Sequence, residues 1–188
     1  KNKSLTFVSR NFMYRFSPAT LDHIYKFYKP NEDFTCQSLC RIIREQTGRL
    51  SEVYRFVELC LFDAVIGNYD RHGRNLGFVT RAAGHRVLSP FYDNPSYIGI
   101  VENILLDSDI QPRGAVYTSI SSEPKLRDYV AEFGRLKLEE VVDRFRKKIS
   151  LRTREMVDLV QNVPTLSGKR KAALLKLIGS RTQELENA

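Results

Sequence analysis

Residues 51–66 constrain the fold more than any other stretch. Val53, Phe56, Val57, Cys60, Ala64 and Val65 recur at helical spacing, and Leu59, Leu61, Phe62 and Ile66 carry apolar surface around most of the cylinder. A helix apolar nearly all round has no face for water, so it belongs at the centre of a domain with other elements packed against it. Ser51 is expected to cap this helix and Gly67 to end it. The chain has 188 residues, enough to enclose such a helix, and residues 1–188 are read as a single domain.

The remaining elements follow in order. Residues 1–16 read as an extended opening segment around Leu5, Phe7 and Val8. Ser17-Pro18 resembles a helix start, and Leu21, Ile24, Tyr25 and Tyr28 follow at i, i+3, i+4 and i+7, which predicts a short helix stopped near Pro30. A second helix is expected over 35–46, with Leu39, Ile42 and Ile43 inward and Gly48 as its stop. Two strands, near 76–80 and 86–91, flank the polar turn Arg81-Ala82-Ala83-Gly84-His85. From Asn94 to Pro124 the pattern weakens into long loops. Helices then return, with one stripe at Leu138, Val141, Val142, Phe145 and Ile149 and another at Met156, Leu159 and Val160. A last helix begins near Ser167. The fold class is α+β, mostly α-helical, with a short β-hairpin.

Charge and cysteine content narrow the function classes. The net charge of +8 suits an acidic partner but does not choose among nucleotide, nucleic acid and anionic lipid. Its densest part, Arg144 to Arg154, alternates with apolar residues at helical spacing and reads as a solvated helix face rather than a nucleic-acid patch. Three cysteines make no disulfide framework, and with three histidines no four-ligand zinc set is apparent. Free thiols in a reducing, cytoplasmic compartment are expected. No apolar run approaches the ~20 residues that span a bilayer.

The central helix opens onto Ile66-Gly67-Asn68-Tyr69-Asp70-Arg71-His72-Gly73-Arg74-Asn75. Asp70 and Asn75 stand five residues apart on this loop. Asp93 follows the hairpin, in Ser89-Pro90-Phe91-Tyr92-Asp93-Asn94. Phosphoryl transfer of the protein-kinase type uses this set of parts: an Asp that takes the acceptor proton, an Asn on the same loop, and a later Asp that completes the Mg²⁺ site. Asp70 suits the base, and Asn75 and Asp93 offer the hard oxygens that Mg²⁺ prefers. A bare D-x-x-x-x-N is common, and both segments also read as ordinary polar turns. The order of parts favours the catalytic reading: buried helix, Gly, Asp loop, hairpin, Asp.

The loop resembles the G-N-x-D-x-H-x-x-N catalytic loop of HipA-like serine/threonine kinases, and Pro90-Phe91-Tyr92-Asp93 resembles their metal-binding P-x-Y-D. The Asp-Arg-His core is also similar to the loop of phosphatidylinositol 3- and 4-kinases, which normally continue to Asp-Phe-Gly. Close similarity covers residues 53–99. The resemblance implies a kinase-like C-lobe using ATP and Mg²⁺. It makes Asp70 and His72 the catalytic residues, with Asp70 the base and His72 bracing the loop. Asn75 and Asp93 become the metal and cofactor ligands. Arg71 and Arg74 stay open between phosphate contact and a structural role. Many relatives carry Gly soon after the metal-binding Asp, where this chain has Asn94-Pro95, so a different course is expected for the next loop.

Only 69 residues precede Asp70, and they contain no Gly-rich phosphate loop and no β-strand lysine paired with a helix glutamate. A C-lobe fragment of a longer kinase is therefore expected, entered through a hinge segment within residues 1–16, with the N-lobe supplied in cis or in trans. The resemblance implies a protein substrate, such as a translation factor or an aminoacyl-tRNA synthetase, and a DNA-binding antitoxin as partner. The alternatives are a non-catalytic module of kinase shape and a lipid kinase.

Overall fold

The computed structural model describes residues 11–68, 70–94 and 115–188. Three strands, β1 (Ala19–His23), β2 (Gly77–Arg81) and β3 (Arg86–Leu88), form an antiparallel sheet in the order β1-β2-β3. Among the described residues five α-helices accompany it: α1 (Cys36–Thr47), α2 (Leu50–Ile66), α3 (Leu126–Arg135), α4 (Glu139–Asn162) and α5 (Gly168–Asn187). The expected hinge around residues 5–9 and most of the expected 94–124 loop lie outside the described residues. No described helix is long and apolar enough to cross a membrane.

Helix α2 is the centre that its composition demands. Phe56, Val57, Leu59, Cys60, Leu61 and Ala64 are at most 1% exposed, and α1, α3, α4 and α5 all pack against it. Only a strip with Phe62 reaches the surface. Burying such a side chain contributes roughly 1.5–3 kcal/mol, so this one helix supplies much of the driving force for the fold. It begins at Leu50 rather than at a Ser51 cap, with Arg49 in the capping position. Glu52, buried in the first turn, accepts the Leu88 N–H at 3.0 Å and an Arg55 guanidinium N–H at 2.8 Å. Arg55 also donates to the carbonyls of Leu88 and Ser89. The start of α2 is thus tied to the end of the hairpin.

Helix α1 has the expected boundaries. Thr35 caps it through its hydroxyl, which accepts the Ser38 N–H, and Gly48 ends it. The hairpin also forms as expected, but β3 stops at Leu88. Ser89 still donates to the Gly77 carbonyl at 2.8 Å, and Pro90 has no N–H with which to continue.

Two expectations fail near the N-terminus. Residues 12–15 form a 3-10 turn, with the Asn11 side chain accepting the Met13 N–H, instead of continuing an extended segment. The short helix expected from Leu21, Ile24, Tyr25 and Tyr28 is instead β1 followed by a 3-10 turn, Ile24–Phe27. Of its four stripe residues only Ile24 is buried, and Tyr25 is 50% exposed, so no helical face exists. The outer edge of β2 needs backbone partners, and β1 supplies them in the register Leu21 to Val79. Long-range pairing here overrides a local period.

The two C-terminal stripes lie on one 24-residue helix, α4. Val141, Val142, Phe145 and Ile149 enter the core. Arg144 and Lys148 both reach Glu58 of α2, at 3.3 and 3.4 Å, while Arg146 and Arg152 pair with Asp143 and Glu155 on α4. The basic run is therefore largely an ion-paired helix surface. Cys36, Cys40 and Cys60 are free thiols; Cys36 and Cys60 are buried, and Cys40 is half-buried.

Candidate active site

The site is built where α2 ends. Gly67 adopts φ 69°, which a residue with a side chain rarely tolerates, and its N–H returns to the Asp63 carbonyl. Asn68, fully buried, then works in two directions. Its amide nitrogen donates to Asp63 Oδ1 at 3.0 Å, and its Oδ1 accepts the Asp70 N–H at 3.0 Å. Asp70 is thereby fixed through its backbone while its carboxylate, 56% exposed, faces outward. From the other end of the loop, Asn75 donates its side-chain N–H to the Asp70 carbonyl at 2.9 Å. With the amide nitrogen committed inward, the amide oxygen is the group left for a ligand.

Arg71 joins the two halves of the site. Its side chain is 1% exposed, among the largest fully buried side chains described. Nε donates to Asp63 Oδ2 at 2.7 Å and Nη2 to Asp63 Oδ1 at 3.0 Å, a two-point contact that matches the planar guanidinium to the carboxylate. Nη1 donates to the carbonyls of Asn75 (3.0 Å), Tyr92 (2.8 Å) and Asp93 (3.4 Å), and Nη2 also bonds the Asn94 side chain. One cation therefore fastens the end of α2, the Asp70–Asn75 loop and the Asp93 loop together. Asp93 itself sits at φ 51°, the left-handed region that Asp tolerates better than most residues. Its side chain is exposed, and among the described residues nothing bonds its carboxylate.

Three aromatic contacts set the rim. Tyr92 donates its hydroxyl to the Arg74 carbonyl at 2.8 Å, lies 3.3 Å from His23 Nδ1, and stacks on Phe12. Burial pushes the Tyr92 hydroxyl above its ordinary value, so it keeps the proton it donates. His72 Nδ1 accepts the Arg74 N–H at 3.2 Å, which places the ring proton on Nε2, 4.0 Å from Asp70 Oδ1. Tyr25 donates its N–H to the Gly73 carbonyl, and a Cβ added at Gly73 would meet the Tyr25 Cβ at 2.9 Å. Gly73→Ala is accordingly expected to destabilise the protein by about 1–3 kcal/mol by forcing Tyr25 off the loop. A Gly179→Ala control, with nothing within 4 Å, is expected to leave the melting temperature unchanged or slightly raised.

The structure places Asp70, His72 and Asn75 on one loop and brings the Asp93 backbone to it through Arg71. Of the two readings open for Arg71, the structural one holds, because its donors are all turned inward. Arg74 is exposed, with its guanidinium 6.0 Å from the centre of the Tyr25 ring. Sequence reasoning matched Asn68 and Tyr92 to motif positions without giving either a role, and it passed over Asp63. The signal for Asp63 is a carboxylate within the apolar C-terminal end of α2, eight residues before an arginine. The role of Tyr92 had none, since its partners come from β1 and the loop. Among the described residues no group of three or more His, Cys, Asp or Glu side chains is placed to hold a metal ion.

Solved structures share this architecture. A proinflammatory kinase from Helicobacter pylori, CtkA, superposes with a TM-score of 0.73 at 16% identity, over 92% of this chain and 70% of that one. HipA from the Shewanella oneidensis MR-1 toxin–antitoxin system, solved with HipB and its operator DNA, gives a TM-score of 0.59 at 15% identity, over 88% of this chain and 39% of that one. The chain thus spans well under half of that HipA chain. The described fold, helical with a small antiparallel sheet, is that of a kinase-like C-lobe. No curated protein matches the chain. The family model described as the HipA-like C-terminal domain matches residues 13–166, and the chain belongs to that family.

Proposed function

We propose that the chain is the catalytic C-lobe of a HipA-like serine/threonine protein kinase, which moves the γ-phosphoryl group of ATP to a protein hydroxyl. The observation that carries this reading is the Arg71 clamp, which holds the loop of Asp70 and Asn75 and the loop of Asp93 in one frame. Purely structural turns have no need of a shared buried cation that leaves the carboxylates of both loops in solvent.

The residues fit Mg²⁺-ATP. The Asn75 amide oxygen and the Asp93 carboxylate are hard oxygens, held by backbones that the same guanidinium fixes. They would bind the metal, which when present offsets charge on the phosphate oxygens. Asp70 aligns the acceptor hydroxyl and takes its proton as the acceptor oxygen bonds to the γ-phosphorus and the bond to the ADP oxygen breaks. His72, which accepts the Arg74 N–H on Nδ1 and has Nε2 4.0 Å from Asp70 Oδ1, braces the loop that carries the base. An N-lobe, in cis or in trans, completes the cradle for the β- and γ-phosphates. The setting we infer is cytoplasmic, with a DNA-binding antitoxin as partner, as in the HipA–HipB–operator complex, and a translation factor or an aminoacyl-tRNA synthetase as substrate.

The test is transfer of labelled γ-phosphate by the full-length protein. Transfer is expected in the wild type and lost in both Asp70→Ala and Asp93→Ala. Retained transfer in both variants overturns the assignment.

A further inference from the structure

Beside the Asp70 loop lies an open cavity of about 410 Å³, walled by the loop itself, by residues 25–34 and by Tyr117. We propose that this cavity receives an arginine side chain of the substrate, next to the hydroxyl that accepts phosphate. The inference rests on the kinase reading above and adds a substrate class to it.

The walls are aromatic and fixed. Tyr28 stacks on Phe34 with ring centres 5.8 Å apart. Tyr117 is held against the same wall by its backbone: its N–H donates to the Phe34 carbonyl at 3.0 Å, and its carbonyl accepts the Cys36 N–H at 2.8 Å. Its ring stays 42% exposed. Tyr25 is fixed by Gly73 and already carries the Arg74 guanidinium on its ring, so an aromatic of this wall accepts that group within the chain itself.

The cavity's lining cation, Arg71, is spent on the buried Asp63, which leaves the carboxylates of the wall to set its charge. Asp70 and Glu32 both line it. The Lys29 N–H and the Arg41 guanidinium hold the Glu32 carboxyl below its ordinary value, so it stays ionised. Arg41 does not cancel that charge, because it is shared with Glu45, one cation between two carboxylates. A cavity with ring faces and surplus carboxylate favours a planar cation, since guanidinium stacks on aromatic faces and is more weakly hydrated than ammonium. An acidic or phosphorylated side chain would meet Asp70 and Glu32 and be repelled. Because Asp70 itself lines the cavity, the occupant lies within a residue or a few of the acceptor.

The experiment uses fluorescein-labelled nonapeptides with a central serine and arginine, citrulline or leucine at the flanking positions, with binding to the full-length protein read by fluorescence polarisation. The arginine peptides are expected to bind about tenfold more tightly than the citrulline ones, which keep the shape and lose the charge. Tyr117→Ala is expected to erase most of that difference and Tyr117→Phe to keep it. Equal binding of arginine and citrulline peptides, or a difference that survives Tyr117→Ala in a variant with unchanged melting temperature, overturns the proposal. Phosphate transfer to the same peptides is read separately. Arginine selectivity without transfer defeats the kinase reading and leaves the cavity assignment standing, whereas transfer without arginine selectivity does the reverse.

Discussion

Arg71→Ala is expected to lower the free energy of unfolding by about 3–5 kcal/mol, the cost of stripping one partner from a buried ion pair. Asp63 is 3% exposed and would keep the Asn68 amide as a hydrogen-bond donor but lose both guanidinium contacts. The carbonyls of Asn75, Tyr92 and Asp93 would lose their shared donor in the same step. Chemical denaturation measures the change, and a loss below about 1 kcal/mol would contradict the clamp. A double-mutant cycle with Asp63→Ala separates the pair from the rest, because the second substitution removes the carboxylate that the first leaves unpaired. The double variant is therefore expected to be more stable than the sum of the two single losses. Function should suffer beyond stability. With the two loops unfastened, the Mg²⁺ concentration needed for half-maximal transfer in the full-length protein is expected to rise.

Asp70→Asn is expected to reduce the phosphoryl-transfer rate of the full-length protein about 10²- to 10⁴-fold, the usual weight of a positioned general base. Its stability should barely change, because the Asp70 side chain is more than half exposed and the loop is held through its backbone. The contrast with Arg71→Ala is the informative part. One substitution removes chemistry from an intact frame, and the other removes the frame. Binding of the nucleotide should survive Asp70→Asn, so the loss is expected in kcat with KM for ATP nearly unchanged. A large rise in KM for ATP with kcat preserved would remove Asp70 from the role of base.

The central helix, its Gly67 stop, the α1 boundaries and the hairpin were all legible because each follows from local pattern: an unbroken apolar surface, a left-handed glycine, a Thr cap, a polar turn between apolar runs. The order of Asp70, Asn75 and Asp93 was legible for the same reason. β1 was not. Leu21, Ile24, Tyr25 and Tyr28, which run from β1 through the 3-10 turn after it, match a helical period, and only the unpaired edge of β2, some 55 residues away, decides against it. The Asp63–Arg71 pair escaped in a different way. An arginine beside a proposed catalytic Asp suggests phosphate contact, and its burial becomes visible only once α2, the loop and the Asp93 turn are assembled. Tyr25 and Tyr117 followed the same course, since chain order gave no reason to place them beside Asp70.

All three contacts of Arg71 Nη1 are to main-chain carbonyls, at Asn75, Tyr92 and Asp93. Side-chain identity at position 93 is thus not written into the scaffold, and what limits that position is backbone shape. At φ 51° an alanine is strained by about 1–2 kcal/mol, while asparagine and glycine fit with little penalty. The repertoire open to drift at this site is narrow and one-sided: substitutions that keep the architecture are the ones that discard the carboxylate. If Asp93 is the metal ligand we propose, a lineage can silence such a chain in a single step without unfolding it, and a kinase-shaped protein lacking this acid is a short mutational distance away.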